Sequence, residues 1–130
     1  AANHNGATPL WIAAQEGQKD VATSLLAHGA SVDAAENDGT TPLWIAAQEG
    51  HKDVATSLLA HGASVEAANH NGATPLWIAA QEGHKDVATS LLAHGASVDA
   101  ANHNGATPLW IAAQEGQKDV ATSLLAHGAS

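Results

Sequence analysis

The sequence predicts an all-α solenoid of stacked helix-turn-helix units with projecting β-hairpin loops. The ten-residue string TPLWIAAQEG, first at residues 8–17, returns unchanged three more times at a strict period of 33 residues. Such a period is typical of a stack of one supersecondary unit, which cannot bury its apolar face alone. Every copy also carries the same helix start, helix stop and apolar face. We expect a single domain over residues 1–130, with repeats 1–33, 34–66, 67–99 and 100–130.

The first half of each unit predicts a short helix, which in the second unit covers about Pro42–Glu49. Thr41 can cap the free N–H groups of the first turn. Pro42 fits that turn because the N–H that it lacks would have no partner there. Gly50 can adopt the left-handed conformation that commonly ends helices.

The second half of each unit predicts another helix, over about residues 51–60 in the second unit. Val54, Leu58 and Leu59 share one face because they recur at positions i, i+4 and i+5. We expect this face to point into the core and Gly62 to end the helix.

The rest of each unit predicts an extended excursion with a tight turn at its tip. Val65 is its main apolar anchor, and Asn71-Gly72 in the next unit is a turn signal. The same signal stands at Asn5-Gly6, Asp38-Gly39 and Asn104-Gly105.

Two stretches of each unit carry a family resemblance. The first reads Gly-x-Thr-Pro-Leu-x-x-Ala-Ala-x-x-Gly-His, at Gly39, Thr41, Pro42, Leu43, Ala46, Ala47, Gly50 and His51. The second reads Leu-Leu…Gly-Ala-x-Val, at Leu58, Leu59, Gly62, Ala63 and Val65. Both stretches recur along the chain, and through them the whole chain resembles the ankyrin repeat family. The resemblance implies antiparallel helix pairs in a gently curved array, with β-hairpins on one side and protein-binding residues on the hairpin tips and inner helix surface.

The chain departs from the family after Thr-Pro-Leu, where a His that commonly ties neighbouring loops by hydrogen bonds is replaced by Trp. We expect this network to be altered and the indoles to be buried in the core or between repeats. A stacking platform for bases or sugars is the alternative, and the scarcity of basic residues weakens it for nucleic acids. The four tryptophans are Trp11, Trp44, Trp77 and Trp110.

The end units lack the polar caps that solenoids usually need. They carry nearly the internal sequence, and Gln18 and Gln117 are their only changes specific to the ends. We therefore expect exposed apolar ends that favour end-to-end association.

Composition excludes several function classes. The formal net charge is −9 with four Lys or Arg residues, all of them Lys, so nucleic acid is a poor partner and neutral or basic partners are favoured. Because the chain has no Cys, we expect no disulfide, thiolate zinc site or thiol catalysis. No leader or membrane span is predicted. The compartment stays open, and would be the cytoplasm for a natural chain.

The nine histidines suggest metal binding as an alternative. Equivalent side chains such as His70 and His103 would stand about 8–10 Å apart, the spacing of packed helices. A zinc–nitrogen bond is about 2 Å, so one ion cannot readily join two of them. His61 and His70 could approach each other across a layer. We expect no metal and no cofactor, with a metal- or pH-responsive histidine surface as the alternative.

Hydrolysis by a Ser-His-Asp triad is a further alternative. Ser57 and Asp53 have counterparts with the same neighbours in every unit. Catalysis needs one asymmetric constellation within a concave pocket, whereas a uniform stack offers copies of one shallow surface. We therefore expect no enzyme activity.

Candidate protein-binding residues are those that the family leaves variable and exposed. None is a Tyr, Trp or Arg of the kind that centres tight interfaces, so the surface looks unspecialised. In the second unit they are Ala35, Asn37, Asp38, Thr40, Gln48, Glu49 and His61. In the third unit they are Ala68, His70, Asn71, Ala73, Gln81, Glu82 and His94.

We therefore predict a non-enzymatic scaffold, which the resemblance makes a protein-binding module of unnamed partner. The first and third units differ only at Gln18 and His84. Selection for a specific partner normally diversifies exposed positions, so this identity suggests consensus design or recent duplication. The alternative function is a structural array that stacks end to end through its uncapped terminal repeats.

Overall fold

The described part of the chain, residues 6–130, consists of helices joined by loops. In this computed structural model eight α-helices follow one another along the chain, and none of the described residues lies in a β-strand. The predicted all-α solenoid is confirmed. The helices are α1 Pro9–Glu16, α2 Lys19–Ala27, α3 Pro42–Glu49, α4 Lys52–Ala60, α5 Pro75–Glu82, α6 Lys85–Ala93, α7 Pro108–Glu115 and α8 Lys118–Ala126.

The first helix of each unit has the predicted bounds, as α3 shows. Thr41 Oγ1 accepts a hydrogen bond of 3.1 Å from the backbone N–H of Trp44. This bond satisfies one of the free donors of the first turn. Gly50 follows the last turn at φ 78°, in the left-handed region, so local contacts define both ends of this helix.

The second helix of each unit begins one residue later than predicted. In the second unit it starts at Lys52, and His51 takes the N-cap position. The helix ends at Ala60, before Gly62 at φ 87°. The apolar residues predicted to face the core are buried: Val54, Leu58 and Leu59.

The helices stack in two rows. α1, α3, α5 and α7 pack successively to form the first row, and α2, α4, α6 and α8 form the second. The two helices of each unit also pack against each other. Small side chains such as Ala46 and Ala47 are completely buried, which lets the helices of neighbouring units approach closely. Leucines fill the space between the rows, among them Leu43, Leu58, Leu76 and Leu91.

The loops project as tight turns, so the predicted β-hairpins are wrong in one respect: no strand forms in the described residues. In the third unit the Asn69 N–H donates to the Ala73 carbonyl at 3.0 Å. The N–H groups of Asn71 and Ala73 donate instead to Asn69 Oδ1. The Asn side chain thus takes donors that a strand ladder would use. Of the predicted turn pair Asn5-Gly6, Asn5 lies outside the described residues.

The ends of the stack expose apolar side chains, as predicted. Ile12 and Val21 are exposed in the first unit, and Trp110 and Leu125 in the last. Their equivalents inside the stack are covered by a neighbouring unit. Among the described residues no helix is long and apolar enough to cross a membrane.

Candidate functional site

A groove runs between the loop tips and the first row of helices. The part that spans the second to fourth units encloses about 470 Å³. A second part of about 380 Å³ continues towards the last unit, where Gln114 and Trp110 contribute. Helix residues on the first part are Trp44, Gln48, Trp77, Ile78 and Gln81, and loop residues include Asn71, His103 and Asn104.

Amide side chains line both walls of the groove. Gln48 and Gln81 are the last residues but one of α3 and α5 and are half-buried, whereas Asn71 and Asn104 are exposed at the loop tips. An amide side chain can donate and accept hydrogen bonds. The groove can therefore pair with polar groups of either kind.

The tryptophans hold the loops against the first row of helices. The indole N–H of Trp44 donates to the Ala73 carbonyl of the next unit at 2.9 Å, and Trp77 does the same to Ala106 at 3.0 Å. Trp11 bonds to the Thr40 carbonyl at 3.1 Å. The network is altered, as expected: each of these rings makes one hydrogen bond, which crosses from its own unit to the next.

The burial expected of the tryptophans is confirmed for three of them. Trp11, Trp44 and Trp77 are buried, with exposed fractions of 9% or less. The expectation is wrong for Trp110, which is 54% exposed. Each of the other indoles is covered by the following unit of the stack, whereas Trp110 lies in the last unit.

A second kind of bond joins the first-row helices to the following unit. Nε2 of His84 lies 3.0 Å from the Gln48 carbonyl oxygen. In the last unit the Gln117 amide donates to the Gln81 carbonyl at 2.9 Å. Gln117 stands where the second and third units have a His, and its side chain makes the same contact with the preceding unit. Sequence reasoning missed this bond, whose partners are 36 residues apart.

Acidic side chains at the ends of the first three units make a third kind of hydrogen bond between units. Glu66 Oε2 accepts from the Ser97 N–H at 2.7 Å, and Asp33 Oδ1 accepts from the Ser64 N–H at 3.0 Å. The substitution of Glu for Asp at position 66 thus keeps the contact. Loop backbones join as well, since the His70 N–H donates to the Asp38 carbonyl at 3.0 Å.

The side-chain hydrogen bonds in the loop of the second unit differ from those in the third and fourth units. Asp38 Oδ1 accepts from the Thr40 hydroxyl at 2.7 Å and from the Thr40 N–H at 3.0 Å. Burial of the carboxyl raises its pKa, but the bonds from Thr40, a bond from its own backbone and the nearby His70 outweigh that effect. The pKa of Asp38 therefore lies below its usual value of 3.8.

The predicted binding residues separate by exposure. Gln48, Gln81 and Ala68 are half-buried. Thr40 and Ala73 are buried, so the prediction that they are exposed is wrong. The carbonyls of Thr40 and Ala73 accept hydrogen bonds from the indoles of the preceding units, and these bonds hold both residues against the stack. The exposed ones are Ala35, Asn37, Asp38, Glu49, His61, His70, Asn71, Glu82 and His94.

Within residues 6–130, no three or more His, Cys, Asp or Glu side chains are grouped so that they could hold a metal ion. His61 and His94 each turn their Nδ1 towards a carbonyl of their own helix, Ser57 and Ser90, at 2.9 Å. Each ring therefore contacts a carbonyl in the last turn of its own helix, α4 or α6.

Comparison with known families identifies the repeat. The family model described as ankyrin repeats (3 copies) matches residues 1–69 and again residues 64–130, so the two matches cover the whole chain. Among curated proteins, no relative was found.

Proposed function

Because the chain belongs to the ankyrin repeat family, we propose that it is a non-enzymatic protein-binding module whose partner occupies the groove. Ankyrin repeat domains are generally protein-binding modules and are typically non-enzymatic. The observation that carries the proposal is the continuous groove with amides on both walls, from Gln48 and Asn71 to Gln81 and Asn104. Its walls are held by the indole bonds of Trp44 and Trp77.

The groove favours an extended polypeptide segment as its ligand. The backbone of such a segment presents N–H and C=O groups in alternation, and amide side chains pair with both. Walls that are already bonded from unit to unit lose little conformational entropy on binding. Trp110, which lines the second part of the groove and is 54% exposed, offers contact to apolar side chains of the segment.

The charge of the chain favours basic residues beside the bound segment. The net charge is −9, and the carboxylates of Asp38, Glu49 and Glu82 are exposed. These residues attract Lys and Arg through water, and salt screens that attraction. We therefore expect bound segments to be enriched in Lys and Arg and to bind less tightly at high salt.

Selection from a displayed library of random peptides tests this proposal. Peptides enriched on the wild-type chain are measured against the double variant Gln48→Ala/Gln81→Ala, which removes two amides from the helix wall. Each hydrogen bond is worth about 0.5–1.5 kcal/mol, so we expect the dissociation constant to rise about tenfold or more.

The matched control is the double variant Thr56→Ala/Thr89→Ala. These exposed threonines lie on α4 and α6, in the second row of helices, and should leave the dissociation constant unchanged. Equal binding of the selected peptides to both double variants would place their site outside the groove and reject the proposal.

A second candidate function is self-association through the ends of the stack. It is favoured by the exposed apolar side chains of Ile12 and Val21 at one end and of Trp110 and Leu125 at the other. In this function the chain is a structural element that binds other copies of itself.

We also infer that the repeats are consensus-like, through design or recent duplication, and have no specific evolved partner. The first and third units differ at one position in 33, Gln18 against His84. The loop change from Asn71 to Asp38 is accompanied by Thr40, which fastens the altered loop. The coding DNA tests this inference: varied codons between identical units indicate synthesis, and identical codons are compatible with recent duplication.

A further inference from the structure

One end of the stack exposes residues that are buried in every later unit. Ile12 is 39% exposed and Val21 is 51% exposed, whereas their equivalents Ile45 and Val54 are at most 5% exposed. The difference arises because the preceding unit covers these positions inside the stack. We name Ile12, Val21 and the half-buried Leu25 the leading face.

The other end exposes residues whose equivalents in the earlier units are buried or half-buried. Trp110 is 54% exposed and Leu125 is 57% exposed, whereas the equivalent Trp44 and Leu59 are covered by the following unit. We name Trp110, Leu125 and the exposed Ala113 the trailing face.

We propose that the trailing face of one chain binds the leading face of a second copy, in the register that joins successive repeats within one chain. This inference rests on the proposed self-association and specifies its geometry. Within the chain, the same two surfaces meet at three junctions: α1 and α2 on α3 and α4, these on α5 and α6, and these on α7 and α8. The joint between copies is thus a fourth junction with nearly the same residues.

Polar groups at the two faces also match. Gln117 donates from its amide to the Gln81 carbonyl of the preceding unit. Gln18 holds the same position in the first unit and is exposed. In the proposed joint, the Gln18 amide of the second copy donates to the Gln114 carbonyl of the first.

The Trp110 indole has an equivalent acceptor in the second copy. Trp77 donates to the Ala106 carbonyl, and one period further the corresponding acceptor is the carbonyl of Ala7 of the second copy. A carbonyl oxygen can accept two bonds. Ala73 does so, from the Asn69 N–H and from the Trp44 indole, so a carbonyl at this position of the repeat can serve an indole and a loop N–H together.

The two faces differ from each other, so this contact is heterologous. A contact of this kind leaves a free leading face and a free trailing face on every complex, and growth continues as an open chain of copies. Each copy carries a net charge of −9, which opposes association at low salt. At about 0.5 M salt the screening length falls below about 5 Å, and association should strengthen.

Two single variants that each block one face provide the test. Val21→Glu places a charge on the leading face, and Leu125→Glu places one on the trailing face. Both side chains are more than half exposed, so neither change should unfold the single chain; the helical circular dichroism signal verifies this. Thr56→Glu, at an exposed position of an internal unit, is the control. Sedimentation analysis measures the mass of each sample over a range of concentrations.

We expect the wild type and Thr56→Glu to grow beyond the dimer as concentration rises. Each blocked variant alone should keep the mass of one chain. Their equal mixture should reach the mass of two chains and stop there, because one trailing face and one leading face remain intact.

Two results would overturn the inference in distinguishable ways. A wild type with the mass of one chain at every concentration and salt rejects self-association altogether. Association of the wild type and also of a single blocked variant on its own rejects only the head-to-tail register, since like faces would then be joining.

Discussion

Among single residues, the tryptophan after Thr-Pro-Leu joins neighbouring units in two ways. Trp44 is buried, and its indole N–H reaches the Ala73 carbonyl, 29 residues away. The ring therefore combines apolar burial with a hydrogen bond across the junction. The equivalent Trp110 has the same sequence neighbours but is 54% exposed.

This difference predicts unequal effects of one substitution at the two sites. Trp44→Ala should lower the free energy of unfolding by about 3–5 kcal/mol, the usual cost of truncating a buried aromatic side chain. Trp110→Ala should cost much less, and Asn37→Ala, at an exposed loop position, should be nearly neutral. Urea unfolding followed by circular dichroism measures all three. Similar losses for Trp44→Ala and Asn37→Ala would show that the indole is not a core residue.

The loop of the second unit predicts a dependence of stability on pH. The folded state lowers the pKa of Asp38 below 3.8, so its carboxylate contributes stability above the unfolded pKa. That contribution is lost as pH falls through the folded pKa. Asp38→Asn keeps an acceptor oxygen but does not titrate.

We expect the wild type to be slightly more stable than Asp38→Asn at pH 7, and the difference to vanish well below pH 4. The effect should be small, because the carboxyl is largely exposed to water. Thermal melts of both proteins from pH 7 to pH 2.5 measure it. A difference that stays constant over this range would mean that the charge of Asp38 does not stabilise the loop.

At the scale of elements, the sequence predicts the helices closely because local contacts end them. α3 has the predicted bounds, since the Thr41 cap and Gly50 both act within the helix and its flanking residues. The loops are less predictable. Asn69 takes the loop N–H groups on its side chain, and propensity alone does not distinguish that turn from a hairpin.

The glycines after the helices provide the prediction at this scale. Gly50 and Gly62 both have positive φ, of 78° and 87°. A Cβ at Gly50 would lie 2.6 Å from Nδ1 of His84, whereas a Cβ at Gly62 would meet nothing within 4 Å. Gly62→Ala should therefore cost only the conformational penalty, about 1 kcal/mol.

Gly50→Ala should cost at least about 1 kcal/mol more than Gly62→Ala. The added methyl group displaces the His84 ring, which also bonds to the Gln48 carbonyl. Chemical denaturation of the two variants compares them directly. An equal loss of stability would mean that the ring moves aside without cost.

The sequence also predicts part of the candidate site. Gln48, Gln81 and Asn71 line the groove, as expected for residues on the inner helix surface and at a loop tip. Thr40 and Ala73 are buried instead. The indoles that draw them inwards act over 29 residues. The only available signal was the unchanged spacing from each Trp to the next loop.

At the scale of the whole molecule, stability is distributed along the stack. The described helices of each unit pack against those of the adjacent units, so an internal unit has two junctions and an end unit has one. Leu58 and Leu59 are buried, whereas their equivalents are half-buried in the first unit (Leu25) and exposed in the last (Leu125). The ends should therefore open more readily than the centre.

Amide hydrogen exchange of the dilute, unassociated chain tests this prediction. Amides of α3 to α6 should exchange about tenfold or more slowly than those of α1, α2, α7 and α8, because opening them breaks more junctions. Leu125→Glu, which cannot extend the stack by its trailing face, serves as the control for residual association. Uniform protection along the stack would instead indicate one cooperative unit.

The sequence by itself determined the repeat, the helix ends and the apolar faces, because these depend on residues within a few positions of one another. The Thr41 hydroxyl and the Trp44 N–H that it caps are three residues apart. The tertiary structure decided which indole is buried, which loop residues are covered and which faces are open. These properties depend on bonds between residues 29 to 36 positions apart, and on whether a neighbouring unit is present to make them.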